Sequence, residues 1–323
     1  MPVVEQVRGP CVEARHPFSA VRVQAGRVDT WLGAPVSSTW RSAAKPFQLA
    51  CALELLGDPD LDETELAVGA ASHSGEPVHV DLVRSLLQRF GVQESDLRCA
   101  AHPPAHEPSA WAILRAGGTF TDIHNNCSGK HTFMLAACRK QGWSLDYLRP
   151  DHPLQQHIRH RVAVWCGRIP DAATDGCGAP TFGLPIDAFA EAWCRLAEAM
   201  AAVKDGTAQR DQPRLGQIGR AMMHRPDLTS GTGRLDLHIL QGAREPMAVK
   251  VGAMGLFCMA FPERGCGVTV KVHSGASEAL GPAVAEALEQ LVPDAWQQPE
   301  DWPWHTLRNV AGREVGELRV TDL

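Results

Sequence analysis

Apolar positions in this chain follow two different periods, and the change of period marks where strands give way to helices. Residues 18–23 and 28–32 alternate as strands, joined across Gln24-Ala25-Gly26-Arg27 in a hairpin. From Phe47 the spacing turns helical, with Leu49, Ala50, Leu53 and Leu56 as the buried stripe. Pro46 falls in the first turn, where a missing backbone donor costs little. Residues 65–71 form a short apolar run that reads as a strand leading into the polar turn 72–76. Leu82, Val83, Leu86, Leu87 and Phe90 have helical spacing, and 101–108, with Pro103, Pro104 and Pro108, read as a loop. Further helices are expected around Met134, Leu135 and Cys138, over 153–165, and over 186–203, the last amphipathic with Asp187 in its first turn.

Residues 204–213 are polar and read as a loop, and 215–223 as a helix stopped by Arg225-Pro226. A turn at 229–233 follows; strands near 247–251 and 267–272 then flank Gly252-Ala253-Met254-Gly255. A helix over 278–292 precedes a Trp-rich, Pro-interrupted tail. Strands at both ends with helices between predict an α+β fold, its sheet assembled from distant parts of the chain. The expectation is one domain over residues 1–323.

Composition narrows the function. At 44 % hydrophobic and 21 % charged the chain is an ordinary globular protein, and a net charge of −6 argues against a nucleic-acid partner. No apolar run approaches the ~20 residues a membrane span needs. Met1-Pro2-Val3-Val4-Glu5-Gln6 lacks the basic and apolar parts of a signal peptide, so a cytoplasmic location is expected. The ten cysteines form no tight framework, and free thiols are expected. Cys51, Cys138 and Cys194 sit in apolar helical patterns as small core residues, whereas Cys127 and Cys177 stand among glycines and polar groups. His16, His79, His102, His106 and His305 lack metal-ligand spacing and read as surface residues.

The strongest chemical signal is Arg41-Ser42-Ala43-Ala44-Lys45. Residues at i and i+3 share a helical face, so a neutral Lys45 amine could take the proton from Ser42 as its oxygen attacks a carbonyl. Alone, S-x-x-K also occurs on solvated helices. Lys250 stands in the apolar run Ala248-Val249-Lys250-Val251-Gly252, where burial would lower its pKa and make it a usable base. Cys127 and Lys130 form a C-x-x-K pair, with Cys177 later in the chain. From residue chemistry alone these offer two zinc ligands, a reactive cysteine nucleophile at Cys127, or two ordinary thiols.

The blocks Ala70-Ala71-Ser72-His73-Ser74-Gly75-Glu76, Asn125-Asn126-Cys127-Ser128-Gly129-Lys130-His131 and Thr174-Asp175-Gly176-Cys177, following S-x-x-K in this order, give a resemblance to the rhizobial-type L-asparaginases. That resemblance implies a serine β-lactamase-like fold, an antiparallel sheet flanked by helices. It implies a second pair, Ser72 with Lys250, and zinc held by Cys127, Lys130 and Cys177 with water completing the set. It also implies a homodimer. Lys250 two residues before Gly252 is similar to the K-T-G strand of β-lactamases, with valine in place of threonine. Arg41 and Asp175 have the charges to meet an amino acid's carboxylate and ammonium, and His131 could orient a ligand or share in proton transfer. Each could equally serve a local salt bridge or loop hydrogen bond. Ser74-Gly75 and Ile123-His124 depart from the family's usual residues, which bears on fine specificity.

The function expected is hydrolysis of L-asparagine to L-aspartate and ammonia. Ser42 attacks with Lys45 as base, Ser72 and Lys250 relay protons or position the leaving amine, and zinc shapes the pocket. Two rivals stand beside it: another S-x-x-K hydrolase, weakened by the lack of an S-D-N motif, and a zinc-dependent amino-acid-binding protein without turnover.

Overall fold

A computed structural model describes residues 1–57, 59–208 and 212–322. In chain order the strands are β1 (Pro2–Arg8), β2 (Cys11–Gln24), β3 (Arg27–Leu32), β4 (Ser37–Thr39), β5 (Asp171–Thr174), β6 (Pro180–Pro185), β7 (Ala248–Gly252), β8 (Leu256–Phe261), β9 (Cys266–Val272), β10 (Thr306–Arg308) and β11 (Glu314–Asp322). The helices are α1 (Lys45–Leu56), α2 (Glu63–Gly69), α3 (Pro77–Arg89), α4 (Glu107–Arg115), α5 (Ser128–Gln141), α6 (Pro153–Cys166), α7 (Ile186–Lys204), α8 (Gln212–His224), α9 (Pro226–Thr229), α10 (Leu235–Gln241) and α11 (Leu280–Leu291). The fold is α+β, as the pattern predicts. No helix among the described residues is long and apolar enough to cross a membrane.

Several expectations are overturned. The run 65–71 is not a strand: α2 occupies it, started by Asp62, whose side chain accepts from the Thr64 and Glu65 N–H groups while Glu65 reaches back to the Asp62 N–H. The loop 101–108 gives way to α4 at Glu107. Of the loop expected at 204–213, α7 takes Lys204, α8 takes Gln212 and Pro213, and 209–211 lie outside the described residues. β1, β8, β10 and β11 add strands that the pattern does not announce. His16 and His79 are buried, not surface residues.

The chain divides into two compact units. The first comprises Met1–Ala43, Leu184–Glu198 and His238–Leu323. Its core is an antiparallel sheet in the order β10-β11-β1-β2-β9-β8-β7, with β3 also paired to β2. β8 and β9 are buried at every position, and α11 packs Ala283, Val284 and Leu288 against the sheet. Gly267 in β9 lets a helix backbone lie directly on the strand: a Cβ there would stand 2.2 Å from Ala190 O and 2.3 Å from Cys194 N.

The second unit, Ala44–Gly183 and Ala199–Leu237, is helical except for the hairpin β5–β6. At its centre α5 is buried continuously from Ser128 to Cys138, which is the burial of a helix surrounded by protein. Its apolar members, with Phe133 against Phe90 at 5.5 Å, form ordinary core. Its first turn does not: Ser128, Lys130, His131 and Thr132 are polar and equally buried. Gly129 admits this packing, because a Cβ there would stand 2.2 Å from Val68 O at the end of α2.

Candidate active site and metal centre

Ser42 lies in a 3-10 turn, Arg41–Ala44, that runs directly into α1. Trp40 anchors the entry to that turn, wholly buried and stacked on Phe189 at 5.1 Å. Arg41 takes a left-handed φ of +48°, a conformation that costs a non-glycine residue about 1 kcal/mol or more. Ser42, the next residue, is half-buried. Also in the first unit, Lys250 lies in the middle of β7 opposite Cys258, with no exposed surface; its Nζ is 3.3 Å from Val251 O.

The second unit brings most of the remaining candidates together. Lys45, the first residue of α1, is wholly buried, and its Nζ lies 2.7 Å from Ala71 O, 2.9 Å from Ser72 Oγ and 3.1 Å from Asn126 O. The two carbonyls can only accept. A neutral amine would therefore give its two protons to them and turn its lone pair on the Ser72 hydroxyl; an ammonium would donate to all three. Burial, helped by the Lys130 charge, pulls the Lys45 pKa down, and the sulfurs of Cys127 and Cys177 oppose it. Ser72 itself is held by its N–H donating to Thr229 O at 2.9 Å.

Cys127 caps the N-terminus of α5, its N–H bound to Asn125 Oδ1 at 2.8 Å. Asn125 in turn donates to Cys99 O and Ala100 O, both at 2.7 Å. The three- and four-residue spacing from Cys127 puts Lys130 and His131 on the same side of the helix start. Cys177 comes from the tip between β5 and β6, closed by Asp175 N–H on Ala179 O at 2.9 Å. Lys130 Nζ stands 3.2 Å from Cys177 Sγ, and Asp175, half-buried, places Oδ2 3.9 Å from that sulfur.

Cys127, Lys130 and His131 draw the Cys177 pKa far below a thiol's usual value, against the effect of burial. The Cys127 thiol donates to Asn126 Oδ1 at 3.1 Å, and Cys177 and burial push its pKa the other way. For Lys130, burial disfavours the charge, but Cys177, Cys127 and Asp175 more than offset it and raise its pKa.

Two sulfurs and an amine nitrogen are a donor set that suits a soft, tetrahedral cation such as Zn²⁺. Among the described residues, no group of three His, Cys, Asp or Glu side chains is placed to hold a metal; here the third donor is a lysine. His131 Nε2, buried and without a hydrogen-bond partner, adds an unsatisfied polar atom at the same place. The residues therefore fit such an ion, provided Cys127 and Lys130 give up their protons to it.

Gly75 and His124, two of the positions that depart from the family pattern, line a separate cavity of about 440 Å³ with Val80, Pro108, Ser109 and Ile113. Asn125 and Asn126 were not singled out from the sequence, though a pair of asparagines before a helix start is a capping signal. Tyr147 was missed as well. Wholly buried, its Oη lies 2.7 Å from His131 Nδ1.

Residues 4–320 match the L-asparaginase II family model, and the chain belongs to that family. No curated protein matches it by sequence. Among solved structures it is similar to a β-lactamase from Mycobacterium bovis, at 13 % identity and a TM-score of 0.42, over 84 % of this chain and 93 % of that one. It is similar also to simvastatin synthase (LovD) from Aspergillus terreus, in its LovD6 mutant form, at 12 % identity and a TM-score of 0.40, over 79 % and 86 % of the two chains. A third likeness is to Mglu, at 16 % identity and a TM-score of 0.37; it covers 88 % of this chain but only 63 % of Mglu.

Proposed function

We propose that the protein is an L-asparaginase, hydrolysing L-asparagine to L-aspartate and ammonia by way of a serine acyl-enzyme. Membership of the asparaginase family over nearly the whole chain supports the reaction. The observation that supports Lys45 as the base is its buried amine, with two carbonyls for its protons and the Ser72 hydroxyl 2.9 Å from its lone pair. Ser42, three residues before Lys45 on the same helical entry, is the nucleophile; Lys45 takes its proton, and Ser72 passes a proton on to the departing ammonia with Lys250. Atoms balance: the acyl C–N bond breaks as the serine ester forms, and water then releases aspartate. Arg41 meets the substrate carboxylate, Asp175 its ammonium, and His131 steadies the pocket beside them.

Zinc would be held by Cys127, Lys130 and Cys177. Bound there, it supplies a fixed positive charge that shapes the substrate pocket. A homodimer and a cytoplasmic location complete the reading. All ten cysteines are free, which accords with a reducing compartment.

The 2.9 Å contact favours a second reading, in which Ser72 is the nucleophile and Lys45 its base. The test is ammonia release from asparagine, with nitrocefin as control, by Ser42→Ala and Ser72→Ala, together with the mass of any trapped acyl-enzyme. An adduct on Ser42 and an inactive, folded Ser42→Ala variant are expected. An adduct on Ser72 exchanges the roles, nitrocefin turnover without ammonia release points to a β-lactamase, and asparagine binding without ammonia release leaves a binding protein.

A further inference from the structure

We propose that Tyr147 is a positioning residue that locks His131 as its Nε2–H tautomer. The significance of the lock rests on the asparaginase and zinc reading; the lock itself does not.

Tyr147 is the chain's single tyrosine. It is wholly buried, and its main-chain carbonyl is pinned by Gln155 Nε2 at 2.8 Å. Its Oη receives the Arg98 N–H at 3.1 Å and lies 2.7 Å from His131 Nδ1, with the rings edge to face. A phenol has one proton to give. The Arg98 amide can only donate, so the proton goes to His131, and Nδ1 must be the unprotonated nitrogen. The imidazole proton therefore sits on Nε2, the buried atom that finds no hydrogen-bond partner. The opposite assignment, with Nδ1–H donating to the phenol, strands the phenol proton in a buried site. Burial keeps the phenol protonated.

His131 directly follows Lys130 at the start of α5, so the lock sets which ring nitrogen carries a proton beside a metal donor, and second-layer partners of this kind typically set about 10–100-fold in metal affinity. Phenylalanine would fill the same space without the proton. Packing alone would tolerate that change at His131; tautomer control would not.

The first measurement needs no variant: ¹H–¹⁵N correlation spectra of the metal-free protein, labelled at histidine, should show His131 protonated only at Nε2. A His131 protonated at Nδ1, or at both nitrogens, at neutral pH overturns the proposal. In Tyr147→Phe the Nδ1 signal should move toward that of a tautomer mixture, and the dissociation constant for Zn²⁺ should rise about tenfold. In a His131→Asn background the same tyrosine change should leave that constant unaltered. An equal loss in both backgrounds, or an unmoved tautomer, would show that Tyr147 is only packing. A protein with the lock and its release intact, yet with no affinity for Zn²⁺, would overturn the metal reading and leave the lock standing.

Discussion

The two units bury their cores by opposite means. In the first, β8 and β9 are buried along their whole length, mostly with aliphatic and aromatic side chains that need no partners. In the second, the start of α5 is buried just as completely, but with a serine, a lysine, a histidine and a threonine. Burying such groups costs several kcal/mol unless each is hydrogen-bonded or paired. Here Ser128 donates to Ile123 O, Thr132 to Ser128 O, Lys130 meets Cys177, and His131 meets Tyr147. A sheet core selects its residues for volume; the α5 core selects them for chemistry. A buried polar cluster with nearly every member satisfied is a functional hypothesis that a buried aliphatic strand never offers.

The largest effect that separates these cores is catalytic. Lys45→Met keeps the volume and removes the base, so turnover should fall about 10²–10⁴-fold. Thermal stability should fall modestly, because Ala71 O and Asn126 O lose the donor that satisfies them. Retained ammonia release would remove Lys45 from the mechanism.

Matched glycines test how tightly each core is closed. Gly129→Ala would raise helix propensity on an open helix, yet its Cβ meets Val68 O at 2.2 Å; a loss of about 2–3 kcal/mol is expected. Gly267→Ala meets Ala190 O at the same distance and should cost a similar amount. Denaturant midpoints compare the two, and only Gly129→Ala should also reduce zinc content by shifting the α5 start. A stabilised Gly129→Ala would refute the close approach.

Cys177→Ala leaves two protein donors, and elemental analysis should find the zinc site empty at ordinary zinc concentrations. If the ion only shapes the pocket, KM rises while kcat remains measurable. Full occupancy in that variant would dismiss the ligand set.

The smallest effect is a pH slope. His73 accepts the Gly75 N–H at Nδ1 and donates from Nε2 to Ser128 Oγ; His79 accepts from Glu76 N–H and donates to Asp227 O. Both bonding patterns require neutral rings. Burial lowers both pKa values, and His79, Lys45, His102 and His124 add to the effect on His73. An unfolded histidine titrates near 6.5, so this contribution is complete above that pH. Below it, the unfolded chain binds protons that the fold refuses. Stability should fall by roughly 1 kcal/mol per histidine per pH unit below about 6.5, until the folded pKa is reached. Melts at pH 7.5 and 5.5 check this, and a flat profile would contradict the neutral pairing.

Legibility followed range. α7 was expected over 186–203 and spans Ile186–Lys204, because a long amphipathic period is a strong local signal. The seven-residue α2 was misread, since an apolar run that short fits either element; its start signal lay outside the run, at Asp62. β8, Leu-Phe-Cys-Met-Ala-Phe, shows no alternation because both faces are covered. β1 and β11 owe their pairing to each other across the whole chain, which no local window registers. At the site, residue types and motif order pointed to Lys45, Cys127, Lys130 and Cys177. That Lys45 holds Ser72, and that Tyr147 stands behind His131, depends on tertiary placement alone.

The pairing of β1 with β11 also sets an order of assembly during synthesis. Val3 aligns with Thr321 and Val4 with Val320, so the middle of the first unit's sheet has no β11 neighbour until Glu314–Asp322 has left the ribosome. The second unit has all its segments once Leu237 has emerged. A nascent chain stalled just beyond that point should already protect α5 from proteolysis while β1 remains open to cleavage. Until β11 emerges, β1 is an unpaired edge, open to pairing with another chain.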